Sequence, residues 1–158
     1  MPRKTTKSLE RKVSPDRKYQ SIMVQRLINK SMLDGKKQAA ERAVYAAIEG
    51  AAKKLNSENP VEVLEKAIAN VSPDFEVKSR RVGGANYQIP FPISGHRQLH
   101  FAFSWLVQSA RARGGMPYAK RLEAEIVDAV NEQGAAFKKK EDCHRMAEAN
   151  RAFAHFAR

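Results

Sequence analysis

From Tyr19 onward apolar residues recur at helical spacing: Met23 and Leu27, then Val24 and Ile28, lie one turn apart until Asp34 and Gly35 break the period. A second, longer helix is predicted from about Lys36 to Leu55, with Ala40, Val44, Ala47, Ile48, Ala51 and Leu55 as its stripe. Its alanines permit close packing. Asn59 supplies a cap, Pro60 the first helical position and Glu62 the third residue after the cap, so a third helix starts here and buries Val61, Leu64 and Ile68. At Ser72 and Pro73 the period falls from near 3.6 to two, with Phe75, Val77 and Ser79 alternating with Glu76, Lys78 and Arg80. Gly83 and Gly84 offer a tight reversal, and Tyr87 and Ile89 lie on the return, so residues 74–91 read as a β-hairpin. Pro90 and Pro92 cannot donate ladder hydrogen bonds, so the ribbon stands at an edge or projects. Three further helices follow. His96 to Arg113 carries Leu99, Ala102, Phe103, Leu106 and Ala110; the next opens at Pro117 and is stopped by Gly134; the last runs from about Lys139 to Ala152. The tail, Phe153 to Arg158, alternates aromatic and basic character and is not expected to pack locally. The fold class is therefore mainly α, a six-helix single domain over residues 19–158 with one protruding hairpin, preceded by a basic N-terminal arm over residues 1–18.

Charge turns this pattern toward a partner. The 158 residues hold 29 Lys and Arg against 17 Asp and Glu, a formal charge of +12, while 42% hydrophobic residues argue for a folded body. Nucleic acid or an anionic surface is the expected counterpart. No run approaches a membrane-spanning length, so no membrane partner is expected. A lone cysteine, Cys143, allows no internal disulfide and fits a reducing cytoplasm. The basic start is interrupted by Glu10 and Asp16, against an organellar transit peptide.

Catalytic chemistry is poorly represented. His96 and His100 are four apart, but Arg97 follows His96 where a zinc protease needs Glu. Cys143 and His144 are adjacent, so their side chains diverge by about 100° on a helix, which suits neither a shared metal nor a thiolate pair. No metal site, cofactor or catalytic residue is expected. Trp105 and Phe103 read as core at helical spacing. The positive clusters are more specific. Lys78, Arg80 and Arg81 crowd the predicted hairpin tip beside two glycines and Tyr87, placing guanidiniums for phosphates and a ring for a base. Lys36 and Lys37 follow the first helix, and Lys138, Lys139 and Lys140 precede Glu141 and Asp142. Several such clusters on one body suit a folded polyanion.

Three long motifs carry a resemblance: Leu33, Asp34, Gly35, Lys36, Lys37; Ser79, Arg80, Arg81, Val82, Gly83, Gly84, Ala85 with Tyr87, Gln88 and Pro90; and Lys139 to Asp142 with His144 to Asn150, continuing to Ala152, Phe153, Ala154 and His155. In these, and in order over nearly the whole chain, the sequence resembles the bacterial form of small ribosomal subunit protein seven. The resemblance implies six helices with a protruding hairpin and a non-catalytic role. It implies binding to the 3′ major domain of small-subunit ribosomal RNA, organisation of the head, and a place near the exit site for tRNA and the mRNA path. It further implies contact of the C-terminal region with a neighbouring platform protein. Carried over, RNA contacts would come from Arg3, Lys4, Lys7, Arg11 and Lys12 in the arm, from Lys36 and Lys37, and from Lys78, Arg80, Arg81 and Tyr87. Arg97, Lys139, Lys140, His144 and Arg145 complete that set.

The chain departs from the family pattern between Phe91 and Ser104. Of a usual arginine pair it keeps Arg97 alone, with Gln98 and Ser104 at other basic positions, and Phe101 and Phe103 add bulk. Local repacking of this helix against the hairpin base is expected. A rival reading is a DNA-architectural protein, since proline-bearing basic ribbons also lie in a minor groove and bend duplex. A nucleic-acid-modifying enzyme would need a metal or a perturbed acid/base set, which the sequence does not offer.

Overall fold

The apolar stripes of all six helices meet in one core, where Leu27, Ile28, Val44, Ile48, Leu64, Leu106, Leu122 and Ile126 are fully enclosed. The computed structural model describes residues 13–157. In chain order these form α1 (Ile22–Ser31), α2 (Lys37–Lys54), α3 (Pro60–Val71), β1 (Phe75–Val82), β2 (Ala85–Pro92), α4 (His96–Ala112), α5 (Tyr118–Val130), α6 (Gly134–Ala149) and a 3₁₀ helix, Arg151–Ala157. The mainly helical domain with one hairpin matches the pattern read from the sequence. Asn59 caps α3 as expected, its Oδ1 accepting the Val61 N–H at 3.1 Å while its amide donates to Glu62 at 2.9 Å.

Polar capping moves several boundaries. The first helix starts at Ile22, not Tyr19, because buried Asp16 accepts the N–H groups of Lys18, Tyr19 and Ser21 at 2.8–2.9 Å and folds the chain into a turn. Ser21 then caps the helix. The Tyr45 hydroxyl on α2 also donates to Asp16, and the Tyr19 hydroxyl to Glu49, so the segment before α1 is fastened to α2. The last helix begins at Gly134, not near Lys139. Its start is capped from a distance by fully buried Glu125 of α5, which accepts the Ala136 N–H at 2.8 Å and the Arg113 Nε–H at 2.7 Å. Gly134 has φ +89°, and a Cβ there would come within 2.9 Å of Asp128 Cβ, so glycine serves both the turn and the tight approach.

The ribbon is a two-stranded antiparallel sheet running from Phe75 opposite Pro92 to Val82 opposite Ala85. Gly83 and Gly84, with φ +57° and +92°, close it in the two-residue turn that suits strand twist. The predicted alternation does not give an apolar inner face at the base. Phe75 is 43% exposed, whereas Glu76 is 6% exposed. The tail, not expected to pack locally, lies along the distant strand β2 as the 3₁₀ helix. Tyr87 is the reason: its ring meets those of Phe153 and Phe156, at centroid distances of 5.0 and 5.7 Å.

Candidate nucleic-acid interface

The base of the ribbon is an electrostatic joint. Arg97, in the first turn of α4, donates from Nε and Nη2 to one oxygen of Glu76 at 2.9 and 2.8 Å, and Lys78 pairs with the other. Burial works against the Glu76 charge, but these two cations outweigh it and hold the carboxyl below the usual carboxylate range. Lys78 also lies 5.0 Å from the Phe91 ring, and Arg97 4.7 Å from the Phe101 ring, which in turn meets Trp105. The Phe101 ring thus covers the Arg97 guanidinium from within α4. Gln98 reaches Asp74, and His144 Nε2 accepts the Asp74 N–H at 2.9 Å. The Cys143 thiol donates to the Phe75 carbonyl at 3.2 Å. Farther out, Arg80 donates to the Phe156 carbonyl at 2.8 Å, and Arg81 is exposed near the tip.

A second feature escaped the sequence reading. Of the six α-helices, α1 and α4 alone contain no Asp or Glu; every other carries at least two carboxylates. These two helices pack side by side. Between them lies a groove of ≈ 300 Å³ lined by Arg26, Asn29 and Lys30 from α1 and by His96, Leu99, His100 and Phe103 from α4. Arg26 and Lys30 are one turn apart on α1, and His96 and His100 one turn apart on α4, so two rows of cationic or titratable groups face each other above an apolar floor. Among the described residues none of these four is in an ion pair with a carboxylate. The signal was present in the sequence as acid-free helices, but the alignment of α1 with α4 depends on long-range packing.

Asn29 also lines a neighbouring cleft with Arg17, Lys37 and residues 13–15. A strip therefore runs from Arg17 and Lys37, past Arg26 and Lys30, to the first turn of α4 and on to Lys78 and the ribbon. Lys37 also faces Glu41 at 3.9 Å, and Lys36 turns toward a separate cleft with Arg111, Tyr118 and Arg121. The α6 residues do not join the strip. Lys139 hydrogen-bonds Gln108, about three turns along α4 from His96; Lys140 donates to the Asn70 carbonyl at 2.8 Å; Arg145 pairs with Asp142. His144 serves the hairpin base, and Tyr87 is engaged by the tail. Arg3, Lys4, Lys7, Arg11 and Lys12 lie outside the described residues.

Among the described residues no three His, Cys, Asp or Glu side chains gather as metal ligands, and no helix is long and apolar enough to cross a membrane. The arrangement offers positive charge, bidentate donors and a projecting ribbon. Comparison with known proteins bears on what such a surface serves. Residues 2–151 match the family described as ribosomal protein S7p/S5e. The chain is 55% identical over 160 residues to small ribosomal subunit protein uS7 of Hydrogenobaculum sp. (strain Y04AAS1), covering 99% of both chains. It is 52% identical over 156 residues to the protein of the same name from Thermomicrobium roseum, again covering 99% of both. With that of Dictyoglomus thermophilum it shares 53% over 146 residues, 92% of this chain and 93% of the relative.

Proposed function

The chain belongs to the ribosomal protein S7p/S5e family, and from that premise we propose that it binds the 3′ major domain of small-subunit ribosomal RNA and organises the head of the subunit. Its role is structural and not enzymatic, as a ribosomal RNA-binding component of the translation machinery. In this reading the protein works in the cytoplasm, on the ribosome. The body sits on the RNA through the α1–α4 groove and the cleft beside Arg17 and Lys37. The ribbon reaches toward the tRNA exit site and the mRNA path, and the C-terminal region meets a neighbouring platform protein.

The observation that carries this reading is the acid-free pairing of α1 with α4 beside a basic ribbon. A phosphate chain laid along that strip meets Arg26 and Lys30, then Arg97 and Lys78, without crossing an unpaired carboxylate. Each neutralised phosphate releases counterions, so affinity depends steeply on salt. Shape supplies selectivity, because cationic groups fixed on three elements fit only RNA segments that a junction brings together. Within the same proposal Arg80 and Arg81 carry phosphate contacts of the ribbon, Lys36, Lys139, Lys140 and Arg145 are peripheral contacts, and the arm residues Arg3, Lys4, Lys7, Arg11 and Lys12 extend the grip. Lys78, Arg97, His144 and Tyr87 chiefly hold the ribbon at its angle, which is also how they serve the RNA.

The test is a filter-binding series against a 3′ major domain fragment. Arg80→Glu with Arg81→Glu is expected to weaken binding and to flatten the plot of log affinity against log salt by roughly 0.7–0.9 per lost phosphate contact, with thermal unfolding of the core unchanged. Unaltered affinity and slope would remove the ribbon from the interface. Equal affinity for duplex DNA and for the RNA junction would favour a DNA-architectural protein instead.

A further inference from the structure

We infer that the α1–α4 groove is a proton-linked phosphate site, in which His96 and His100 take up protons as an RNA backbone phosphate settles against Arg26 and Lys30. This rests on the RNA-binding reading and goes beyond it, because it assigns a pH response to one place on the surface.

The geometry supplies the components. His96 and His100 are exposed, lie one turn apart on α4, and face Arg26 and Lys30 across the groove. Imidazole is the side chain that ordinarily changes charge between about pH 5 and about pH 8, and a phosphate beside it favours its charged form. On binding, each ring takes a proton from solvent and becomes a donor on both nitrogens, so an N–H can point at a phosphate oxygen.

The surroundings leave this response unopposed. From α1 the facing charges are Arg26 and Lys30, and on α4 itself Arg97 is the adjacent cation. Two carboxylates of the hairpin base reach the start of α4, Glu76, paired with Arg97 and Lys78, and exposed Asp74, which accepts from Gln98, and neither lines the groove. Neither α1 nor α4 contributes another. Farther along α4, Arg113 takes up Glu125 and Asp128 of α5, and Lys139 of α6 meets the neutral Gln108. α3, which also packs against α4, carries Glu62, Glu65 and Lys66, but neither these nor any carboxylate lines the groove, so an entering anion meets the two imidazoles with no competing negative group in the lining.

The experiment measures affinity of the full-length chain for a 3′ major domain RNA fragment at fixed monovalent salt from about pH 8 to about pH 6. The expected result is affinity rising as the pH falls, by up to about tenfold for each imidazole whose proton affinity rises tenfold on binding. His96→Gln with His100→Gln should lose this extra pH dependence, the comparison being of the slopes and not of the affinity at any one pH; both positions are exposed, so the core packing is not at stake. Protonation of the RNA itself contributes equally to both proteins and cancels in the comparison. Arg26→Gln should lower affinity across the whole range and keep the pH slope. Identical slopes for the unaltered chain and the double histidine variant would overturn the inference while leaving RNA binding intact. Failure to bind the fragment at any pH would instead overturn the RNA-binding reading beneath it. In the complex, imidazole proton resonances give an independent readout: both rings should titrate at higher pH with RNA than without, and unmoved midpoints would also overturn the inference.

Discussion

Asp16 illustrates how one carboxylate can set where a structure begins. It is 1% exposed and accepts three backbone N–H groups and the Tyr45 hydroxyl. Burial disfavours its charge, but the N–H groups of Tyr19, Ser21 and Lys18, with Tyr45, prevail and hold its carboxyl below the ordinary range. Glu76 and Glu123 are likewise lowered against their burial, Glu123 by Lys120 and Lys54. All three shifts have the same sign. A carboxyl whose folded value is depressed contributes stability that is complete above its unfolded value and is lost as the pH falls through the folded one. Urea midpoints should therefore hold steady above about pH 5 and drop below about pH 4. Asp16→Asn should lower the midpoint at neutral pH and shrink that acid-dependent drop; an unchanged acid limb would show that Asp16 does not contribute to it. The charge of Asp16 was visible in the sequence, but its burial was not. Its partners lie two to five residues on and in α2, so an acidic residue in a basic stretch looked like part of a solvated arm.

At the scale of elements, the six stripes and the hairpin were legible because each rests on local periodicity or turn chemistry. Gly83 with Gly84 and Asn59 with Pro60 are read within a few residues. What required the folded chain was long-range: Glu125 capping α6 from α5, and the tail laid on β2. Phe153 and Phe156 recur three apart in a run of small and basic residues, a pattern with no face to assign until Tyr87 is placed beside it. The consequence for the ribbon is mechanical. A two-stranded hairpin alone is marginal in water, and here the aromatic contacts and the Arg80 bond to Phe156 brace it from one side. Phe153→Ala with Phe156→Ala should speed hydrogen exchange of β2 amides about tenfold, the effect of losing one to two kcal/mol of aromatic contact. Helix amides in α2 and α5 should exchange as before. Equal protection of β2 in both proteins would mean that the ribbon stands without its brace.

Considered as a whole molecule, the distribution of charge matters more than its sum. The formal +12 was plain from composition, and the ribbon and arm clusters from local runs. The groove was not, because two helices some 70 residues apart had to be set side by side before their shared lack of acids meant anything. Surface charges of one sign repel across about 10 Å at moderate salt. Raising salt should therefore have opposite effects on the two equilibria: a higher melting temperature for the solitary protein and a lower affinity for RNA. Calorimetric scans across a salt series test the first half, and a melting temperature that fell or stayed level would exclude repulsion along α1 and α4 as a significant cost.

That cost gives the acid-free pair of helices a developmental meaning. A freshly made copy carries like charge on the face it will later present to its ligand, and no carboxylate on either helix is there to offset it. The offset comes from outside, from dissolved counterions while the protein is alone and from a polyanion's phosphates, which displace them, once it is bound.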